Sequence, residues 1–189
     1  MKRVISIHGW GGAPDEGFRP SLGEGLAKHG ISFISPQMPN TRFPKLSEWL
    51  PFLKKTIGRP DTETYLIGHS LGSVMILRYL ETLEKDEEIG GAVLVAGFTD
   101  DLGIPELSNF FVTPFDWAKI RTHVERVVSF ESDNDPYGLE KYNEEFKKHL
   151  SAETQLLHDR KHFSGDDGIT DFPEALKTLL RIMEKSPNN

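Results

Sequence analysis

The chain has 189 residues, enough for one domain with a full-sized core. A formal net charge of −7, with no Lys/Arg cluster to override it, argues against a nucleic-acid binder. The absence of cysteine excludes disulfides, thiolate metal sites and a Cys nucleophile. The apolar stretch within Met1–His8 is too short for a signal peptide, and no apolar run approaches the length of a membrane span. A cytoplasmic protein without membrane association is expected.

The first element is the β-branched run Val4–Ile7, read as a buried strand that ends in the Gly-rich loop His8-Gly9-Trp10-Gly11-Gly12. A helix over Pro20–His29 stops at Gly30, and a second strand, Ile31–Ser35, is closed by Pro36 and Pro39. Leu46–Ile57 has helical spacing, with Ser47 as the expected N-cap, Pro51 in the first turn and Gly58 at the end. Thr64–Ile67 is the third strand, followed by a helix carrying Val74, Leu77, Leu80 and Leu83 on one face. Gly91–Ala96 is a fourth strand, Phe98–Phe115 is irregular, and Asp116–Val124 is a short helix. Arg126–Phe130 is the fifth strand, Leu139–Leu150 a polar helix and Thr154–His158 the sixth strand. Asp171–Lys185 is the last helix, with Phe172, Leu176, Leu179, Leu180 and Met183 inward, before a frayed tail at Pro187-Asn188-Asn189. Strands alternate with helices and are mostly continuous apolar runs. That pattern predicts an α/β fold, a three-layer αβα sandwich around a mainly parallel six-stranded sheet, in a single domain.

In such sheets, sites form at the carboxyl ends of the strands. Gly68-His69-Ser70-Leu71-Gly72 sits at such an end, between a strand and a helix. This is G-x-S-x-G in the context of a nucleophile elbow, a sharp turn that aims a serine hydroxyl into open space. The competing reading is a Gly-rich turn with a helix-capping serine. A serine hydroxyl needs a base, and His162, just past the last strand, is the candidate. The acid that would orient it is Asp135, before Pro136 at the end of strand five, with Asp133 as the competitor. The order Ser70, Asp135, His162 is that of α/β-hydrolases rather than of chymotrypsin-like or subtilisin-like proteases. The backbone amides of Leu71 and Trp10 are the candidate oxyanion hole. The Gly-rich loop matches neither G-x-G-x-x-G nor a P-loop, so no phosphate site is expected. His158 and His162, four apart, have no evident third partner for a metal. His69 is expected to pack and hydrogen-bond within the elbow.

Over nearly its whole length the chain resembles the small serine hydrolases of the RBBP9/YdeN type within the α/β-hydrolase superfamily. The resemblance rests on His8-Gly9, on Pro39-Asn40 followed by a helix containing Trp49, and on Tyr65-Leu-Ile-Gly-His-Ser-Leu-Gly72. It continues through Gly91-Ala-Val-Leu-Val-Ala-Gly-Phe98, Ser132-Asp-Asn-Asp-Pro136 and His162-Phe163. It implies Ser70 as nucleophile, Asp135 as acid and His162 as base, in a minimal α/β-hydrolase fold. Two departures stand out: Lys161 occupies a place where a glycine often precedes the histidine, and Tyr137-Gly138-Leu139 replaces a more usual aliphatic-Pro segment.

The expected activity is hydrolysis of a small-molecule ester, thioester or activated amide through an acyl-enzyme, with no cofactor and no metal. The segment Gly97–Arg121, where larger relatives insert a lid, is short, so little or no cap is expected. Its aromatics either pack in the core or wall the pocket, and Trp10, Phe98, Phe110 and Phe111 are the candidate pocket residues. Asp166-Asp167 would disfavour strongly anionic substrates if both faced the site. A perhydrolase or a C–C bond hydrolase would use the same three residues, and a catalytically silent interaction protein would keep the fold without the activity.

Overall fold

The computed structural model describes residues 1–184. The tail at Pro187-Asn188-Asn189 and the expected helix end at Lys185 lie outside the described residues. Six strands form one sheet: β1 (Arg3–Ile7), β2 (Ser32–Ile34), β3 (Thr64–His69), β4 (Gly91–Val95), β5 (Val127–Ser132) and β6 (Glu153–Leu157). Their order is β2-β1-β3-β4-β5-β6 and every pairing is parallel. The helices are α1 (Arg19–Ala27), α2 (Leu46–Ile57), α3 (Leu71–Leu80), α4 (Trp117–Thr122), α5 (Tyr142–Leu150) and α6 (Pro173–Met183). Short 3₁₀ turns cover Pro105–Phe110 and Leu139–Lys141. α1 packs on α6, whereas α2, α3, α4 and α5 pack one upon the next, so the helices form two groups about the sheet.

The apolar pattern explains this arrangement. β3, β4 and β5 are buried along their whole length, as strands covered on both faces must be. The edge strands β2 and β6 are half exposed and read less continuously apolar. α3 is apolar almost all round and every one of its residues is buried. Arg78 is its charged exception. Its Nε donates to the Phe110 carbonyl, its Nη2 to the Thr113 carbonyl and its Nη1 to Glu81, and its guanidinium lies 3.9 Å from the centre of the Phe115 ring.

Several local expectations are corrected. Ser47 does not cap α2. The Leu46 amide donates instead to Asn109 Oδ1 at 2.8 Å, so a side chain distant in sequence starts the helix at Leu46. Pro51 therefore lies in the helix interior rather than in its first turn. β3 runs through to His69 and β5 to Ser132, each up to two residues further than their apolar runs suggest, because their polar ends are also enclosed. No helix of the described residues is long and apolar enough to cross a membrane.

Candidate active site

β3 feeds directly into α3 through Ser70, whose φ of 56° and ψ of −122° lie outside the ordinary regions for a side-chain-bearing residue. The turn is tight because its flanks touch. A Cβ on Gly72 would stand 2.1 Å from the Ile7 carbonyl oxygen, and one on Gly68 would stand 2.5 Å from the Gly72 carbonyl. Only glycine fits at either place, which is the physical content of the G-x-S-x-G spacing here. The Ser70 amide is tied to the Val95 carbonyl at 2.8 Å, and its carbonyl accepts from Ser73 at 2.8 Å. Strain at Ser70 is thus held by both neighbouring strands and by the helix.

His162 reaches this serine from the loop after β6. The hydrogen-bond chain fixes the proton positions by chemistry. A carboxylate only accepts, so His162 Nδ1–H donates to Asp135 Oδ2 at 2.8 Å. In the neutral ring this leaves Nε2 as the acceptor, 3.0 Å from Ser70 Oγ. The Asp135 side chain is fully buried and that of His162 is 17% exposed, at the lip of the cleft.

Asp133 lies elsewhere. Its carboxylate faces solvent, accepts from the Asp159 amide at 3.0 Å and pairs with His158 Nδ1. These hydrogen bonds hold its pKa below the usual carboxylate value. The run Ser132–Asp135 in fact clamps the His162 loop residue by residue. Ser132 Oγ accepts from Arg160 N, Asn134 Oδ1 accepts from Lys161 N, and Asp135 holds His162 itself. The loop also needs three left-handed residues, Asp159 at φ 54°, Lys161 at φ 47° and Phe163 at φ 56°. A further brace comes from Asp167, which accepts from the His162 amide at 3.1 Å and from Ser164 Oγ at 2.7 Å. Burial of Asp167 favours its neutral form, but these hydrogen bonds prevail and lower its pKa. His69 Nε2–H donates to the His162 carbonyl at 2.7 Å, so both backbone groups of His162 are held. Burial, the nearby His162 and Arg19 keep His69 neutral, with its pKa well below the ordinary value.

The loop after β1 is similarly fixed. His8 is fully buried, accepts the Met38 amide on Nε2 at 3.0 Å and donates from Nδ1 to the Gly9 carbonyl at 2.8 Å. Its ring meets the buried Trp49 edge to face. The Gly11 and Gly12 amides bond to Thr41 and Gly9 carbonyls. Among the described residues, the amides of Trp10 and Leu71 have no backbone acceptor, and both residues line the cavity that contains Ser70.

That cavity measures about 670 Å³, a size suited to a small molecule. Phe98 lines it. Phe110 and Phe111 do not, and this is a correction. The 3₁₀ turn directs Phe110 onto Trp49 in the core, and Phe111 packs between Phe98 and Phe115. The apolar wall is built instead from Leu102, Ile104 and Leu107, and Tyr137 stands edge-on to the His162 ring. Asp166 lines the cavity rim, whereas the Asp167 carboxylate turns into its own loop. Arg19, which the sequence did not single out, also lines it.

The serine hydrolase family matches residues 4–181. The chain is similar to the serine hydrolase RBBP9 of Rattus norvegicus, at 29% identity over 95% of this chain and 89% of that protein. It is equally similar to YdeN of Bacillus subtilis, at 29% identity over 97% of each. The crystal structure of the B. subtilis ydeN product superposes with a TM-score of 0.93, over 98% of this chain and 100% of that one. Est1E of Butyrivibrio proteoclasticus, solved with ferulic acid, has a TM-score of 0.70 at 17% identity, over 96% of this chain and 88% of that one, and shares the fold. The architecture and these matches agree, and the chain belongs to the serine hydrolase family, as an RBBP9/YdeN-type member with a minimal α/β-hydrolase fold.

Proposed function

We propose that the chain hydrolyses a small ester, thioester or activated amide through a covalent acyl-enzyme, with Ser70, His162 and Asp135 as its catalytic triad. One observation carries this reading: His162 bridges a strained, cavity-facing serine and a buried carboxylate. Ser70 Oγ attacks the substrate carbonyl carbon while His162 Nε2 takes the hydroxyl proton. The Asp135 carboxylate stabilises the imidazolium that forms. The carbonyl oxygen becomes an oxyanion, met by the Trp10 and Leu71 amides and by the N-terminus of α3. Collapse of the tetrahedral intermediate breaks the bond to the leaving group, which receives the proton from His162. Water, deprotonated by the same imidazole, then attacks the acyl-enzyme and releases the acid and free Ser70. The cavity, with its aliphatic and aromatic wall, supports a small acyl substrate of carboxylesterase type.

Turnover of p-nitrophenyl butyrate tests the assignment. Ser70→Ala and His162→Ala are each expected to lower kcat by about three orders of magnitude or more, with no additive loss in the double variant. A loss of less than about tenfold in Ser70→Ala, in a folded protein, would remove Ser70 from the mechanism.

A further inference from the structure

Buried arginines in this fold come in two kinds. Arg78 has three acceptors, the Glu81 carboxylate among them. Arg19, only 4% exposed, is the first residue of α1 and lines the cavity that holds Ser70. Among the described residues its guanidinium makes one hydrogen bond, from Nη1 to the Glu16 carbonyl at 3.0 Å, and no ion pair. Nε is wholly buried with no acceptor at all. Burial lowers its pKa to about 10, against a weaker opposing pull from Glu16. It remains a cation at neutral pH. A desolvated, unpaired charge is unfavourable for stability, and so is a cation at the positive end of a helix. The Phe18 ring, whose centre lies 5.4 Å from the guanidinium carbon, offsets these costs only in part and supplies no counter-charge.

The sheet order locates this charge relative to Ser70. β3 lies between β1 and β4, so the connection from β1 into α1, where Arg19 sits, and the loop from β4 that bears Phe98 approach Ser70 from opposite sides. One side of the cleft is apolar and the other carries a guanidinium. We propose that Arg19 is an anion-binding subsite, and that the substrate carries a carboxylate on the side of its scissile bond away from the Phe98 wall. This rests on Ser70 being the nucleophile. Glu16 and Asp166 also line the cavity, but both are solvent-exposed and screened by water and salt. Arg19 would pair with a ligand carboxylate out of water, where a charge-assisted, bidentate contact is strongest.

Two matched ester pairs test this. One is p-nitrophenyl hemiglutarate against p-nitrophenyl butyrate, with the carboxylate in the acyl group. The other is 4-(butyryloxy)benzoate against its methyl ester, with the carboxylate in the leaving group. In the wild-type protein kcat/KM for one anionic ester should exceed that of its neutral partner by about tenfold or more. That ratio should fall at least tenfold in Arg19→Gln and be partly kept in Arg19→Lys, which retains the charge. Because the ratio is taken within each protein, partial misfolding does not mimic the effect. An unchanged ratio in Arg19→Gln would overturn the subsite while leaving the hydrolase reading intact. Binding separates the two further. Glutarate titrated into Ser70→Ala, followed by NMR, should shift resonances of the cleft, and Arg19→Gln in that background should abolish the shifts. Arg19-dependent glutarate binding without any ester turnover would sustain the subsite and sink the hydrolase reading. Binding that ignores Arg19 would sink the subsite.

Discussion

Two aspartates two residues apart in one turn have separate surroundings. Asp135 is buried on His162, and Asp133 is exposed on His158 and the Asp159 amide. Asp135→Asn should therefore lower ester turnover by orders of magnitude, since an amide at this position can hold the wrong imidazole tautomer. Asp133→Asn should leave turnover within a few-fold, because its carboxylate reaches only the outer part of the loop. Steady-state kinetics on the two variants decides, and the reverse ranking would move the acid to Asp133. That Ser70, Asp135 and His162 meet was legible because each follows a strand, and the parallel sheet gathers strand ends. Phe110 and Phe111 were not, since which way an aromatic in an irregular segment turns depends on what lies beneath it. Here Trp49 draws one inward and Phe98 and Phe115 hold the other. Arg19 carried no sequence signal either. Next to Pro20 it reads as an ordinary surface residue at a helix start.

At the scale of elements, the elbow and the His162 loop place opposite demands on glycine. Gly72 is required by contact, with no room for a Cβ against the Ile7 carbonyl. Gly72→Ala should cost about 2–4 kcal/mol of stability, read from urea unfolding, and should impair activity by displacing Ser70. A cost below about 1 kcal/mol would mean that the elbow relaxes. Lys161 presents the converse case. It adopts a left-handed φ of 47° without being glycine, held by the hydrogen bond that its backbone N–H donates to Asn134 Oδ1. Lys161→Gly should be neutral or raise stability by up to about 1 kcal/mol, because it relieves the backbone while loosening the unfolded chain. Loss of more than that would show that the lysine side chain itself supports the loop. The strand and helix count was legible from apolar runs, but polar strand ends and the Asn109 cap on α2 were not. Both depend on partners distant in sequence.

For the whole molecule, two buried neutral histidines link the site to stability. Burial holds the pKa of His8 below, and that of His69 well below, the ordinary value near 6.5. The unfolded chain therefore binds these protons at higher pH than the folded one. Their contribution is complete above about pH 6.5 and is lost as pH falls from there toward the folded values. The limiting slope is about 1.4 kcal/mol per pH unit for each histidine. His69→Gln, whose amide can still donate to the His162 carbonyl, should lose less stability than wild type between pH 7.5 and 5. Equal losses in urea unfolding would remove His69 from this linkage. The same histidine anchors the loop that carries His162, so acid weakens the fold where it supports the site. All of this converges on the serine at the end of β3. The most direct test is labelling with a fluorophosphonate probe followed by peptide mass mapping. One covalent adduct on Ser70 is expected in the folded wild-type protein and none in Ser70→Ala. No adduct on folded wild type, or undiminished labelling of Ser70→Ala, would contradict it.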